Sequence, residues 1–451
     1  SIVVSGGDNF SGSYFSKITK GEPIKEMYEA MDVEMSAIGN HEFDWGLPYL
    51  VDTAALNIPH VAANITEEKR YTHPDWLSPY RIVERKLKDG SSLRIAFIGL
   101  TTTDTYVKTK PENLKGLQFT HPLGAACIQT VYQLKKEGQI DMIILLMHIG
   151  TDMKMPYRIT EENAQGLPFI DKVDAIISAH SHELVLDKIN NIPIIQAGVN
   201  GTHIGKLLFQ IQDFNGHRDI SFIQGDTVRV ACEENPEMRE AVEKIMDKYR
   251  LNEKLATAKE ALIHDRTINK FDYTPIGALV TAAYAKRFQK EMPAYKDQPV
   301  IGVNHYGGIR AALPKGDITR LRAGNILPFG SAIVAYRFDG KRLKKLLEDG
   351  RKNPNGFLQS SDLTLTLSGN KIVYTRDGQK TEIEDNTPCV VTLDAFITDG
   401  GDGYDASLFK GYEIPEFDKL GIISTDAFMD YLKGFKKPIT VESTHMPVIS
   451  K

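Results

Sequence analysis

Four short segments place carboxamide, carboxylate and imidazole side chains directly after apolar runs. They are Gly6-Gly7-Asp8-Asn9, Gly39-Asn40-His41-Glu42, His148 after Met147, and His180-Ser181-His182 after Ile177-Ser178-Ala179. Hard cations favour oxygen donors alone, whereas a mixed Asp, Asn and His set suits Zn, Mn, Fe or Co. Taken singly, a Gly-Asp reads as a turn and a lone His as a histidine satisfied within the fold, while the His180-x-His182 pair is balanced between that reading and metal binding. All four in one chain, each at the end of an apolar run, read as a metal site.

The elements that must position these residues are visible in the same stretch. Short runs of Ile, Val and Leu over 2–4, 93–100, 140–147, 173–177 and 192–196 predict strands. They alternate with polar loops and helical stretches up to about residue 226, a pattern of layered α/β folds. In such folds ligands collect at the carboxyl ends of strands, where loops from distant sequence positions converge. Between 235 and 250, Met238, Ala241, Val242, Ile245, Met246 and Tyr249 mark one face of an amphipathic helix that begins at Asn235-Pro236. A different α/β pattern follows it, so three segments are expected: a catalytic domain over 1–230, a linker helix within 231–255 and a second domain over 256–451.

With 451 residues the chain exceeds one ordinary hydrophobic core, and 41% hydrophobic with 25% charged residues is a globular composition. A formal charge of −5 without a long basic run argues against a nucleic acid polymer as partner and for a small substrate. The apolar run over 142–147 is far too short to span a bilayer, which takes roughly 18 or more residues; it predicts a buried strand. Cys127, Cys232 and Cys389 are too widely spaced for a zinc knuckle or an evident disulfide framework.

The segment Gly39-Asn40-His41-Glu42-Phe43-Asp44-Trp45-Gly46, with Gly7-Asp8, His148-Ile149-Gly150 and Ala179-His180-Ser181-His182, resembles the calcineurin-like metallophosphoesterases, in particular the two-domain 5′-nucleotidase and UDP-sugar hydrolase group. Ala179 replaces that family's usual Gly. The resemblance implies a sandwich of two sheets flanked by helices, joined by a helix to a smaller α/β substrate-binding domain. It implies two divalent metal ions, with Asp8 bridging them, Asn40, His148 and His180 completing one and His182 serving the other. His41, oriented by Asp44, is then the catalytic group at the transferring phosphoryl, and Glu42 a structural hydrogen-bonding carboxylate. The family opens with a strand ending in D-x-H; no such segment precedes Asp8, so the given chain is expected to be missing that strand and any export signal.

Downstream, Asn304-His305-Tyr306-Gly307-Gly308-Ile309-Arg310 resembles the family's N-G-G-G-I-R block. The resemblance assigns Arg310, Gly308 and His305 to substrate oxygens, a task that suits the planar guanidinium. His305 stands where Asn is usual. Phe329 and Phe396 match the aromatics that sandwich the base, Asp402 the acceptor of ribose hydroxyls, and Tyr404 is a second candidate for stacking. Arg266 lies near where the family holds phosphate with further arginines. The implied activity is 5′-nucleotidase hydrolysis of a nucleoside monophosphate, with domain closure during turnover, outside the cytoplasm in the periplasm or at the cell surface. UDP-sugar or NAD cleavage and 2′,3′-cyclic nucleotide hydrolysis are the close alternatives. The phenylalanine pair leans toward the first, since the cyclic branch often stacks with tyrosines. If the D-x-H strand is absent, a non-catalytic nucleotide-binding protein is the reading from another class.

Overall fold

A computed structural model describes the chain except residues 53–57, 152–157, 215–216, 266–267, 367–370, 377 and 451. Two compact units are present, one formed by Ser1–Ser11 with Thr19–Val242 and the other by Gly12–Ile18 with Glu243–Lys451.

The first unit stacks two sheets. In the larger, six strands run in the order Leu184–Ile189, Ile192–Ala197, Ala175–Ile177, Met142–His148, Ser92–Thr101 and Tyr80–Lys86. The inner four are mutually parallel and the two edges antiparallel to their neighbours. The smaller sheet is parallel and holds Val3–Ser5, Val33–Ala37 and His60–Val61. Strand Met142–His148 shows why its sequence is an uninterrupted apolar run. Met142, Ile144 and Leu146 pack with Met35, Ala37 and Val61 of the smaller sheet. Ile143, Leu145 and Met147 pack on the opposite face with Val131 and Leu134 of helix Ala125–Lys136. A strand covered on both faces has no side that wants polar residues.

The expected strands all form, with ends displaced by a residue or two: Val3–Ser5, Ser92–Thr101, Met142–His148, Ala175–Ile177 and Ile192–Ala197. Helix Pro236–Lys248 also forms, yet none of its residues is buried, and Val242 is exposed. Its apolar stripe meets a core only toward its end, where Met246 and then Tyr249 pack against the main cluster of the second unit. Among the described residues no helix is long and apolar enough to cross a membrane.

The second unit is built on a mixed sheet in the order Ile333–Asp339, Pro388–Asp394, Val300–Asn304 and Gln359–Ser360. Its two faces again carry separate cores. Val300 and Val390 pack with helix Pro275–Glu291, whereas Ile301, Val303, Val391 and Leu393 pack on the other side. That helix starts from Thr274, whose hydroxyl accepts the Gly277 N–H at 3.0 Å, followed by Pro275 at a position where the missing N–H costs nothing. A second four-stranded sheet joins Gln379–Ile383, Ile372–Arg376, Leu363–Thr366 and Val448–Ser450.

Candidate metal and catalytic site

In the first unit, the carboxyl ends of strands from both sheets feed the candidate residues. Val3–Ser5 leads to Asp8, Val33–Ala37 to Asn40, Met142–His148 ends on His148, and Ala175–Ile177 leads to His180. Ligand atoms of Asp8, His148 and His180 lie within 4.8 Å of one another. His148 Nε2 is 3.0 Å from Asp8 Oδ2, and His180 Nδ1 is 3.2 Å from His148 Nε2. The other nitrogen of His148 donates to the Gly6 carbonyl at 2.7 Å, which turns its Nε2 inward. Asp8, His180 and His182 all hold left-handed backbone, with φ of 60°, 74° and 61°. Non-glycine residues adopt that region at a cost and cluster at functional sites.

The charges agree with this geometry. Burial opposes ionisation of Asp8, but His148 and His41 beside it hold its carboxyl well below the usual range. Burial likewise opposes protonation of His148, and Asp8 outweighs it. His180 is pushed down to about 4, first by burial and then by His148, leaving a neutral imidazole with a lone pair to offer.

Asn40 supplies a direct test of whether these residues fit a cation. Its side chain is nearly sealed, at 1% exposure, and its Oδ1 has no hydrogen-bond partner among the described residues. A buried carbonyl oxygen left unpaired is costly unless something electropositive meets it. One carboxylate, one orphaned amide oxygen and two imidazoles match a borderline divalent metal. His182 acts electrostatically on His180 but does not join the convergent three.

Beside them, His41 Nδ1 lies 2.8 Å from Asp44 Oδ2. Burial opposes charge on His41, yet the Asp44 hydrogen bond and the charges of Asp8, Asp44 and Glu42 lift it to about 9. The His41 backbone N–H donates to Asp8 Oδ1 at 2.8 Å, tying the pair to the carboxylate of the cluster. Glu42 is the hub below them. Its buried carboxylate accepts the backbone N–H groups of Asp8 at 2.9 Å, Asn9 at 2.6 Å and Gly39 at 2.6 Å, and the Asn9 side-chain amide at 3.1 Å. A Cβ on Gly39 would stand 2.1 Å from Asp8 Oδ1, so this loop passes the carboxylate only as glycine.

Three contributors were not singled out in the sequence. Ser11 donates to Asp44 Oδ2 at 2.6 Å, sharing the acceptor of His41. The Gly6 carbonyl orients His148. Asp104 brings a carboxylate oxygen to 3.9 Å from His180 Nε2. Asp104 follows strand Ser92–Thr101, so the rule that picked out the other residues, a polar group just past an apolar run, also covers it.

In the second unit the candidate substrate residues form a connected set. His305 Nδ1 lies 2.7 Å from Asp402 Oδ2, and the imidazole leans against Phe396 with ring centroids 4.8 Å apart. Arg310 donates to the Gly307 carbonyl at 3.3 Å, beside Gly308, and its guanidinium sits 5.5 Å from the centre of the Phe329 ring. Phe329 and Phe396 are 54% and 45% exposed, unusually open for phenylalanine. One expectation is refined and one corrected. Asp402 gives one oxygen to His305 and keeps its other oxygen as an acceptor, so the ribose role assigned to it is shared with a histidine partner. Tyr404 is a core residue at 7% exposure and offers no open face for stacking. Arg266 lies outside the described residues.

The sequence matches two family descriptions in tandem, calcineurin-like phosphoesterase over residues 1–184 and 5′-nucleotidase, C-terminal domain, over residues 254–408. It is 25% identical to a 5′-nucleotidase of Vibrio cholerae, over 98% of this chain and 83% of that protein. It is 26% identical to the trifunctional nucleotide phosphoesterase protein YfkN of Bacillus subtilis, over 96% of this chain and 31% of that longer protein. The fold is similar to the crystal structure of a 5′-nucleotidase precursor from Thermus thermophilus, with a TM-score of 0.69 and 23% identity, covering 100% of this chain and 90% of that one. The chain belongs to the metallophosphoesterase family that joins a calcineurin-like domain to a 5′-nucleotidase C-terminal domain, and it is a phosphoric ester hydrolase.

Proposed function

We propose that the protein is a metal-dependent 5′-nucleotidase, releasing phosphate from a nucleoside 5′-monophosphate. The observation that carries this reading is the convergence of Asp8, His148 and His180 beside the His41–Asp44 pair. Asp8, Asn40, His148 and His180 would hold a divalent ion there, which when bound would supply charge neutralisation at the phosphoryl oxygens and a more acidic water. His41, kept protonated by Asp44, Asp8 and Glu42, donates a hydrogen bond from Nε2 where charge develops on the phosphoryl group or the departing ester oxygen. Asp44 fixes the imidazole and holds the proton on Nδ1. Arg310 is assigned to substrate oxygens, Phe329 and Phe396 to the base, and the His305–Asp402 pair beside Gly308 to the sugar or base edge. Nucleotide is the partner, and the periplasmic or cell-surface location belongs to the same proposal.

The test is phosphate release from AMP, UDP-glucose, NAD and 2′,3′-cyclic AMP by metal-stripped protein supplied with Mn, Co or Zn, with bound metal counted in parallel. AMP is the expected preferred substrate, and activity is expected only after metal is returned. No phosphate from any of the four would sink the assignment; preference for UDP-glucose, NAD or the cyclic nucleotide would move it to that branch. The number of ions bound decides whether Asp8 and His182 serve a second metal.

The exposed Phe396 ring has a measurable part in this proposal. Stacking contributes about 1–3 kcal/mol per base, so Phe396→Ala is expected to raise KM for AMP by roughly 5- to 150-fold at that energy, with kcat little changed. An unchanged KM would remove Phe396 from the base site.

A further inference from the structure

A histidine that ligates a metal through one nitrogen must commit the other, since the proton on the second nitrogen decides which lone pair is available. For His148 the commitment is the Nδ1–H bond to the Gly6 carbonyl. His180 presents Nδ1 to the cluster and turns Nε2 toward Asp104 Oδ2, at 3.9 Å. We propose that Asp104 is a positioning residue for the metal site, its carboxylate accepting the Nε2–H of His180 and thereby fixing the tautomer that leaves Nδ1 as the ligand. This rests on the reading of Asp8, His148 and His180 as a metal site.

The conformation of Asp104 supports the assignment independently. It stands at the N-cap of helix Thr105–Lys108, where Asp ordinarily turns its carboxylate back onto the first backbone N–H groups. Here the carboxylate makes no cap hydrogen bond. Asp104 is held firmly while forgoing that bond. Thr101 pairs in register with His148, and the Asn64 side chain both accepts from its N–H and donates to its carbonyl at 2.8 Å. Thr102 donates to the His148 carbonyl at 3.2 Å, and the Asp104 N–H donates to the Thr102 hydroxyl at 3.2 Å. The loop that carries Asp104 is therefore anchored to the strand that carries His148. A gap of 3.9 Å is longer than a direct hydrogen bond, and catalytic hydrogen bonds often tighten only when the site is loaded.

The test compares Asp104→Ala and Asp104→Asn with the unaltered protein, all stripped of metal. Mn2+ affinity is measured by titration calorimetry, and the His180 imidazole tautomer by 15N-edited NMR on the metal-free protein. Asp104→Ala is expected to bind Mn2+ 10- to 100-fold more weakly, and to convert a single Nε2–H tautomer of His180 into a mixture, while its metal-free melting temperature stays the same. Asp104→Asn keeps an acceptor oxygen and should lose less. Mn2+ binding by Asp104→Ala equal to that of the unaltered protein would overturn this inference alone. A parallel fall in metal-free melting temperature with an unchanged tautomer would reduce Asp104 to a structural role. Failure of the unaltered protein to bind Mn2+ would overturn the inference together with the metal-site reading on which it rests.

Discussion

His41→Ala is expected to lower kcat for AMP by roughly 100- to 10,000-fold, the usual contribution of a positioned proton donor or its hydrogen bond to a transition state. The loss should fall on kcat, with KM and the metal content nearly unchanged. The side chain of His41 contacts Asp44 and is not one of the three convergent ligands, so its removal leaves Asp8, His148 and His180 in place. The tie between the two groups runs through the His41 backbone N–H to Asp8, and alanine preserves it. Asp44→Asn should reproduce much of the loss, because an amide oxygen keeps a hydrogen bond to Nδ1 but not the charge that favours the imidazolium. Steady-state kinetics on the metal-loaded variants separates the outcomes. A His41→Ala protein that keeps more than a tenth of its kcat would remove His41 from the chemistry.

Glu42→Ala carries the largest expected effect on stability. One carboxylate satisfies the backbone N–H groups of Asp8, Asn9 and Gly39 and the amide of Asn9, inside a region sealed from water. Each donor stranded there costs about 1–3 kcal/mol, and several are stranded together, so a loss of at least about 3–5 kcal/mol is expected. For a unit of this size that lowers the melting temperature by on the order of 10 °C. Glu42→Gln should recover only part of the loss, since its one remaining oxygen accepts the donors on its side while its NH2 faces the donors on the other. Thermal melts of metal-free protein provide the check, and a variant within a degree or two of the unaltered melt would show that water fills the role of the carboxylate.

The parts of this site legible in the sequence share a physical cause. His148 announced itself because its strand is buried on both faces and must be apolar until it reaches the loop layer, so the first polar residue marks the boundary. Asn40, His41 and Asp44 lie close together along the chain, and local spacing carried them. Glu42 was read as a hydrogen-bonding carboxylate, but not that its partners Asp8 and Asn9 stand more than 30 residues away. The His305–Asp402 pair spans 97 positions and left no local pattern. Asp104 was hidden by an ordinary polar run, Thr101-Thr102-Thr103-Asp104, that looks like any strand-to-helix turn. Helix Pro236–Lys248 was legible as a helix because apolar spacing sets the period, but spacing does not say whether the stripe is covered, and here it is mostly open.

The path of the chain through residues 12–18 has a consequence for how the molecule could be divided. Asp8 is followed four residues later by a segment that belongs to the other unit, before the chain returns at Thr19. Within that segment Tyr14 is buried, its N–H donates to Asn325 Oδ1 at 2.9 Å, and its ring occupies the space a side chain on Gly324 would need. The second unit is therefore not a separable cassette. A fragment beginning at Glu243 would carry a tyrosine-shaped hole against Gly324, with a penalty of roughly 3–5 kcal/mol for a lost core aromatic. Recombination between relatives at the helix would likewise have to exchange two pieces of chain in concert, since the filling for one core is encoded within a dozen residues of the metal loop of the other.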